Sequence, residues 1–207
     1  MVRMRAPKTS ADANIIQLKV TLRGVKPPVW RRLLLPGTMH LGQLHEAIQA
    51  AMGWHDYHLH VFDIGGESFG DRQDVDDVAD EKRPTLNGLL KSGVTRFGYT
   101  YDFGDTWEHT VALEKSEPAV EGAAYPACAG GKRNCPPEDC GGPWGYAQLL
   151  AVLADPNHPE HEEQLEWVGG EFDPEECDLE GANTVLAARF AKKRAAPDRA
   201  GSPKASG

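Results

Sequence analysis

The stretch "RFGYTYDFGDTWEHTVALEK", residues 96–115, contains two runs in which aromatic or aliphatic residues occupy alternate positions. Alternation with a period of two places these side chains on one face of a β-strand. Gly104-Asp105 between the runs is a turn signal, so the stretch predicts a β-hairpin with one buried face. The side chains expected on that face are Phe97, Tyr99, Tyr101, Phe103, Trp107, His109, Val111 and Leu113.

Two further segments carry strand patterns. In "IQLKVTLR", residues 16–23, apolar and polar side chains alternate strictly, which is typical of a half-buried strand. The turn "GVKPP" and the run "VWRRLLL" then predict the returning strand of a hairpin. "HLHVFDI" and "ESFG", residues 58–64 and 67–70, are separated by Gly65-Gly66 and predict a third strand with a short hairpin.

A helix is predicted over residues 41–52, where apolar residues recur at helical spacing. Thr38 is the expected N-cap and Gly53 the C-terminal stop. A sheet that lays one helix across its face in this order indicates an α+β fold. We expect a β-grasp-like mixed sheet with one crossing helix.

The last third of the chain is predicted to be helical. Three segments at 143–156, 158–170 and 178–194 carry helical periodicity, but each is too short to fold alone. About three C-terminal helices should therefore pack on the sheet. We expect one α+β domain over 14–194, comprising a sheet part (14–116), a Cys/Pro/Gly loop (117–143) and a helical part (144–194). Residues 1–13 and 195–207 have the composition of disordered ends.

The charge balance is acidic, with 22 Lys and Arg against 31 Asp and Glu, giving −9. Because phosphate contacts need Lys and Arg, this argues against direct nucleic-acid binding. The basic stretch at 189–199 is interpreted as a helix end that runs into a tail. No apolar run is long enough to cross a bilayer and no secretory leader is visible, so we expect a cytoplasmic protein with reduced thiols and no membrane contact.

The segment "CAGGKRNCPPEDCGG", residues 128–142, spaces its cysteines as C-x6-C-x4-C. Three thiolates could supply three ligands to zinc, with His109, His161 or Cys177 as the fourth. The metal candidates are Cys128, Cys135 and Cys140. The alternatives are a stiff connector whose thiols pack as small apolar groups, or a reactive cysteine near Lys132 and Arg133.

Polar residues near the predicted sheet end are candidates for ligand binding. Asp102 and Asp105 flank the hairpin turn, while His58 and His60 lie two apart on a strand and share a face. His109 falls on the apolar face of its strand, which predicts either a hydrogen-bonded core histidine or a functional one. The candidate binding residues are His58, His60, Asp102, Asp105 and His109, and no catalytic set is recognisable.

Six motifs together resemble the plasmid pRiA4b ORF-3-like family over roughly residues 15–190. They are "LKVTLRGVKPPVWRRL", "LHEAIQAAMGW", "HLHVF", "YDFGDTWEHTV", "CPPEDCGGPWGY" and "HPEHEEQLEWVGGEFDPE". The resemblance implies an α+β domain of bacteria and archaea without an established activity, some members being labelled resolvases or insertion-sequence passengers. The recombinase label lacks support in the residues, because none of Ser68, Ser92 and Ser116 has an arginine cluster nearby in the sequence.

Three classes of function follow from these patterns. The first, which we favour, is a non-enzymatic interaction or accessory module associated with plasmid or mobile-element DNA and acting through a protein partner. The second is a metal-dependent hydrolase-type enzyme that uses His58, His60, His109 and nearby carboxylates. The third is a DNA-binding recombination accessory, which the acidic charge disfavours.

Overall fold

In a computed structural model, residues 14–194 are described and form an α+β fold with one eight-stranded mixed sheet and five helices. The strands are β1 (Asn14–Leu22), β2 (Trp30–Pro36), β3 (His60–Ile64), β4 (Glu67–Gly70), β5 (Ala79–Asp80), β6 (Arg96–Tyr101), β7 (Trp107–Pro118) and β8 (Ala127–Lys132). The helices are α1 (Leu41–Met52), α2 (Leu86–Lys91), α3 (Gly142–Ala154), α4 (His161–Trp167) and α5 (Leu179–Arg194). The expectations for residues 1–13 and 195–207 lie outside the described residues.

The strand order is β5-β4-β3-β6-β7-β1-β2-β8, and every pair is antiparallel except β4 with β5. The predicted hairpins β1–β2, β3–β4 and β6–β7 are confirmed. The finer β-grasp-like arrangement is not confirmed. What the structure bears out is the coarser α+β fold with a mixed sheet.

One side of the sheet is covered by α1, and the alternation seen in the sequence explains why. Ile16, Leu18 and Val20 of β1 are 0%, 0% and 1% exposed, and they join the α1 side chains in one apolar core. The helix bounds are those expected, and Gly53 ends α1 in the left-handed region at φ 81°. The N-cap is His40 rather than Thr38, because the His40 imidazole accepts a hydrogen bond from the Gln43 amide.

Two expectations for the sheet are wrong. Phe103 does not share the buried face with Tyr101, because it lies beyond the end of β6 in the turn and is 46% exposed. Residues 127–132, expected to belong to a loop, form the edge strand β8 beside β2. Small residues in "ACAGGK" give no alternation from which a strand could be predicted.

The C-terminal helices pack as expected on the rest of the fold. Helix α5 lies against α1 and β8, burying Ala182, Leu186 and Phe190 in the common core. Asn183 of α5 accepts from the Cys128 amide at 2.8 Å and donates to the Cys128 carbonyl at 2.9 Å, so it satisfies the outer edge of β8. Within residues 14–194, none of the helices has the length and apolar character needed to cross a membrane.

Candidate metal centre

The pairing of β3 with β6 brings His58 and Asp102 together at one end of the sheet. His60 lies opposite Tyr101 in an antiparallel register, so the residues before His60 face those after Tyr101. The pairing continues for one more step, since the Asp102 amide donates to the Leu59 carbonyl at 2.8 Å. Two candidate residues that are 44 positions apart in the chain therefore become neighbours through strand register.

Asp102 is fixed by the turn that it begins. Its backbone is left-handed at φ 56°, and its Oδ1 accepts from the amides of Gly104 and Asp105 at 2.9 and 3.3 Å. The side chain is buried, and its second oxygen, Oδ2, faces His58 at 3.7 Å from Nε2. One carboxylate oxygen thus holds the turn, while the other is directed to the neighbouring imidazole.

The third member of the cluster, Asp139, comes from the cysteine-containing segment. This segment leaves β8 and crosses the residues that follow α1, where the Trp54 indole donates to the Pro136 carbonyl at 2.9 Å. It then reaches the β6–β7 turn, where the Gly141 amide donates to Asp105 Oδ2 at 3.0 Å. Asp139, left-handed at φ 61°, places Oδ1 at 3.2 Å from His58 Nε2.

His58, Asp102 and Asp139 form a cluster, here called the triad, whose ligand atoms all lie within 4.8 Å of one another. His58 Nε2 is buried and has no aligned hydrogen-bond partner among the described residues, although two carboxylates lie beside it. Metal–ligand bonds of about 2.0–2.2 Å place adjacent ligand atoms roughly 3.0–3.5 Å apart. The spacings of 3.2 and 3.7 Å are close to that geometry.

The ligand types also suit a metal ion. One imidazole and two carboxylates are ligands for Zn²⁺, Mn²⁺ or Fe²⁺, and three protein ligands leave positions for water and substrate. Within residues 14–194, the triad is the sole group of three or more His, Cys, Asp or Glu donors close enough to share one ion.

A pair of stacked histidines lies in the adjoining cleft. The ring centroids of His45 and His60 are 3.5 Å apart, and the angle between the ring planes is 5°. His45 belongs to a closed hydrogen-bonded ring that fixes its tautomer. The Gln49 amide nitrogen donates to Tyr99 Oη, which leaves the Tyr99 hydroxyl hydrogen for His45 Nδ1 at 2.8 Å. His45 Nε2 then donates to Asp56 at 2.6 Å, and the Asp56 amide returns to Gln49 Oε1.

Both nitrogens of His45 are therefore occupied, and burial lowers its pKa despite the hydrogen bond that His45 donates to Asp56. His60 instead pairs with Glu81, with 2.7 Å between Nε2 and Oε2. Glu81 is buried against the first turn of α1, where a Cβ on Gly42 would lie 2.4 Å from Glu81 Oε1. A carboxylate at a helix N-terminus is stabilised by the helix dipole.

The cleft around these side chains has a volume of about 600 Å³ and is lined by both His45 and His60. Its walls carry five carboxylates and one ammonium group, that of Lys82, which is paired with Asp71 at 3.0 Å. Of the triad, His58 lines this cleft, while Asp139 lines a smaller groove between α3 and α4. The triad thus stands where two concave surfaces meet. The five carboxylates are Glu46, Asp56, Asp71, Asp74 and Glu81.

The candidate residues predicted from sequence divide into two groups. His58, His60 and Asp102 lie at this end of the sheet, and Asp105 holds the turn and the neighbouring segment. His109 is instead a core residue, 1% exposed, whose Nδ1 lies 3.3 Å from the Tyr99 carbonyl. Burial lowers the pKa of His109 to about 4, so the imidazole is neutral at pH 7.

The three candidate zinc cysteines are not brought together. Cys128 lies in β8, Cys135 packs with its sulfur 3.1 Å from Met52 Sδ, and Cys140 borders the groove beside α3. Burial raises the pKa of Cys135 and of Cys140 to about 12, which disfavours the thiolates that zinc requires. Their arrangement corresponds to the alternative interpretation, a stiff connector with thiols packed as apolar groups.

Several residues of the site were not identified from the sequence. Asp139 and Glu138 lie in "CPPEDC", where the spacing of the cysteines makes the thiols, and not the carboxylates, the candidate metal ligands. The available signal was an acidic pair held between Pro-Pro and Gly-Gly, since a rigid loop can present a carboxylate at a fixed position. His45 and Tyr99 gave no such signal, because each sits at an apolar position of a regular element.

Comparison with known proteins identifies relatives along most of the chain. A family model described as plasmid pRiA4b ORF-3-like protein matches residues 14–181. Uncharacterized protein y4hQ of Sinorhizobium fredii (strain NBRC 101917 / NGR234) is 42% identical over 188 residues, spanning 87% of this chain and 96% of that protein. The crystal structure of a protein of unknown function, MM3350 from Methanosarcina mazei Go1, has a TM-score of 0.76 at 41% identity, covering 81% of this chain and 97% of that one. These names state no activity, ligand or partner.

Proposed function

This chain belongs to the plasmid pRiA4b ORF-3-like family, and we propose that it is a divalent-metal-dependent enzyme of hydrolase type. The metal ligands are His58 through Nε2 and the carboxylates of Asp102 and Asp139. The observation that carries the proposal is the buried His58 Nε2, which makes no aligned hydrogen bond although two carboxylates lie beside it, with all three ligand atoms within 4.8 Å of one another.

A metal ion at the triad would supply Lewis acidity to a water molecule or to a carbonyl oxygen. The surrounding residues support such a role, because three protein ligands leave coordination positions free and the site opens to a cleft of ligand size. His60, which lies two residues after His58, and its partner Glu81 line the same cleft and could orient a bound substrate.

The charge of the cleft favours a particular class of substrate. Five carboxylates against one paired ammonium group create a negative potential, which repels phosphate esters and other anions. Neutral or cationic substrates with an ester or amide bond are therefore the expected class.

Metal titration of the purified full-length chain tests the proposal. After treatment with EDTA and dialysis, calorimetric titration with Mn²⁺ and with Zn²⁺ should give one site per chain. His58→Gln and Asp139→Asn should each weaken binding by at least about tenfold, because each removes one of three ligands. The control is Glu121→Gln, an exposed carboxylate in the loop between β7 and β8, which should leave affinity unchanged.

Two results would contradict the metal centre: no stoichiometric binding of either ion, or equal affinity in the three variants and the parent chain. A second assay addresses the hydrolase class. The metal-loaded protein should hydrolyse p-nitrophenyl acetate faster than Asp139→Asn does, and it should be inactive on p-nitrophenyl phosphate. Stoichiometric metal binding without activity on either ester would instead favour the interaction module predicted from sequence, with the metal in a structural role.

A further inference from the structure

Glu138 lies immediately before the ligand Asp139, and both of its carboxylate oxygens are occupied. Oε1 accepts from the Tyr101 hydroxyl at 2.5 Å, and Oε2 accepts from the His55 amide at 2.9 Å. Tyr101 immediately precedes Asp102, and His55 lies in the segment that leads to His58. One side chain thus contacts the segments that carry the other two ligands.

Tyr101 extends these contacts. Its hydroxyl oxygen also accepts from the Tyr57 amide at 3.1 Å, next to His58, and its ring meets the His58 ring edge-to-face at 5.8 Å. The Tyr101 side chain is completely buried. The Tyr101 hydroxyl thus donates to Glu138 and accepts from the Tyr57 amide, so it links the segments that carry all three ligands.

Asp139 has little else to hold it. Its side chain is 69% exposed and its backbone lies in the left-handed region, which non-glycine residues adopt at a cost. Packing therefore does not fix the carboxylate beside His58. The hydrogen bonds of the preceding residue are the nearest anchors.

We infer that Glu138 is a positioning residue that sets the metal affinity of the triad, by fixing Asp139 against the Tyr101–Asp102 and His55–His58 segments. The inference rests on the proposed metal centre, to which it assigns a supporting residue. Residues of this kind orient the ligands of a metal, and their loss commonly weakens binding by about 10–100-fold.

The test compares Glu138→Gln and Tyr101→Phe with the parent chain, using Mn²⁺ affinity and the visible spectrum of the Co²⁺-loaded protein. Glu138→Gln keeps the size of the side chain but turns one acceptor into a donor, so it should lower Mn²⁺ affinity by about 10–100-fold and alter the Co²⁺ bands. Tyr101→Phe should weaken binding as well, because Glu138 loses its 2.5 Å partner. Glu138→Asp should restore part of the affinity, and the exposed loop variant Glu121→Gln is the control.

If Glu138 had a purely structural role, Glu138→Gln would lower the melting temperature in EDTA but would leave the Mn²⁺ affinity and the Co²⁺ spectrum of the folded protein unchanged. The double variant, Glu138→Gln with Tyr101→Phe, tests whether Tyr101 acts through Glu138. If it does, the double variant should lose no more Mn²⁺ affinity than Glu138→Gln alone. If the parent chain binds one Mn²⁺ and both single variants bind it within about twofold of the parent, the inference is wrong while the metal centre stands. If the parent chain binds no metal, the metal centre itself is wrong.

Discussion

His58 and His45 show how two nearby imidazoles can have different roles. Both nitrogens of His45 have hydrogen-bond partners within its ring of side chains, so this residue is structural. His58 Nε2 is buried without an aligned partner, and such an atom costs about 1–3 kcal/mol unless something satisfies it. A bound cation would satisfy it and also neutralise the two carboxylates beside it.

His109 leads to a prediction about pH. Its pKa is near 4 in the folded protein against 6.5 for an exposed imidazole, so the unfolded chain binds more protons between these values. Its contribution to stability is complete above pH 6.5 and is lost as the pH falls towards 4. Between pH 7 and pH 5 the free energy of unfolding should decrease by about 2 kcal/mol from this residue.

Urea denaturation of the parent chain and of His109→Leu at both pH values measures this effect. Other groups titrate in both proteins, so the difference between the two pH dependences reports His109. The variant is expected to be less stable than the parent at pH 7, but to lose about 2 kcal/mol less on going to pH 5. Equal losses in the two proteins would show that His109 is not the neutral core residue described above.

At this scale, the sequence predicted part of the candidate site. His58 could be chosen because it shares a strand face with His60, and Asp102 because it flanks the predicted hairpin turn. Asp139 could not be paired with them, because their proximity depends on how the segment after β8 crosses the residues following α1. The sequence left the role of the cysteines open for a similar reason, since thiol spacing does not show which way each sulfur points.

Among the elements, the segment between β8 and α3 is the one that completes the site. Where it joins α3, it meets the β6–β7 turn so closely that a Cβ on Gly142, the first residue of α3, would lie 2.4 Å from the Asp105 carbonyl oxygen, and Gly142 has φ 68°. The contact requires glycine, and the dihedral angle favours it. The position of Asp139 therefore depends on a residue three places further along the chain.

Gly142→Ala should destabilise the protein and weaken metal binding, because the segment must move away from Asp105. Gly170→Ala is the matched control: its φ is 92°, but no atom lies within 4 Å of the added Cβ. Both variants should lose about 1–2 kcal/mol from the left-handed backbone, while Gly142→Ala alone should lose more and bind Mn²⁺ less tightly. Chemical denaturation and Mn²⁺ titration of both variants measure this, and identical behaviour would contradict the proposed contact.

The elements themselves were mostly predictable. The bounds of α1 and the three hairpins followed from periods of 3.6 and 2, because one face of each element is buried in the core. The edge strand β8 could not be predicted in this way. Its small residues adopt the strand conformation because they pair with β2 and because Asn183 hydrogen-bonds to Cys128. Tertiary partners of this kind leave no periodic pattern in the sequence.

For the whole molecule, the triad joins parts of the chain that are distant in sequence. A ligand that binds the folded state and not the unfolded chain stabilises it by about 2.7 kcal/mol at 100 times its dissociation constant. For a chain of this size, that corresponds to a rise in melting temperature of roughly 5–10 °C. Differential scanning calorimetry with Mn²⁺ should show this rise in the parent chain and none in His58→Gln at the same concentration, whereas equal rises would place the ion elsewhere.

Anomalous diffraction is the most direct test of whether His58, Asp102 and Asp139 bind one divalent cation. Crystals grown with Mn²⁺ and measured above the manganese absorption edge should give one strong anomalous peak. That peak should lie at about 2.0–2.3 Å from His58 Nε2, Asp102 Oδ2 and Asp139 Oδ1. An anomalous map with no peak at the triad, in crystals where His58 Nε2 donates an ordinary hydrogen bond to one of the two carboxylates, would contradict it.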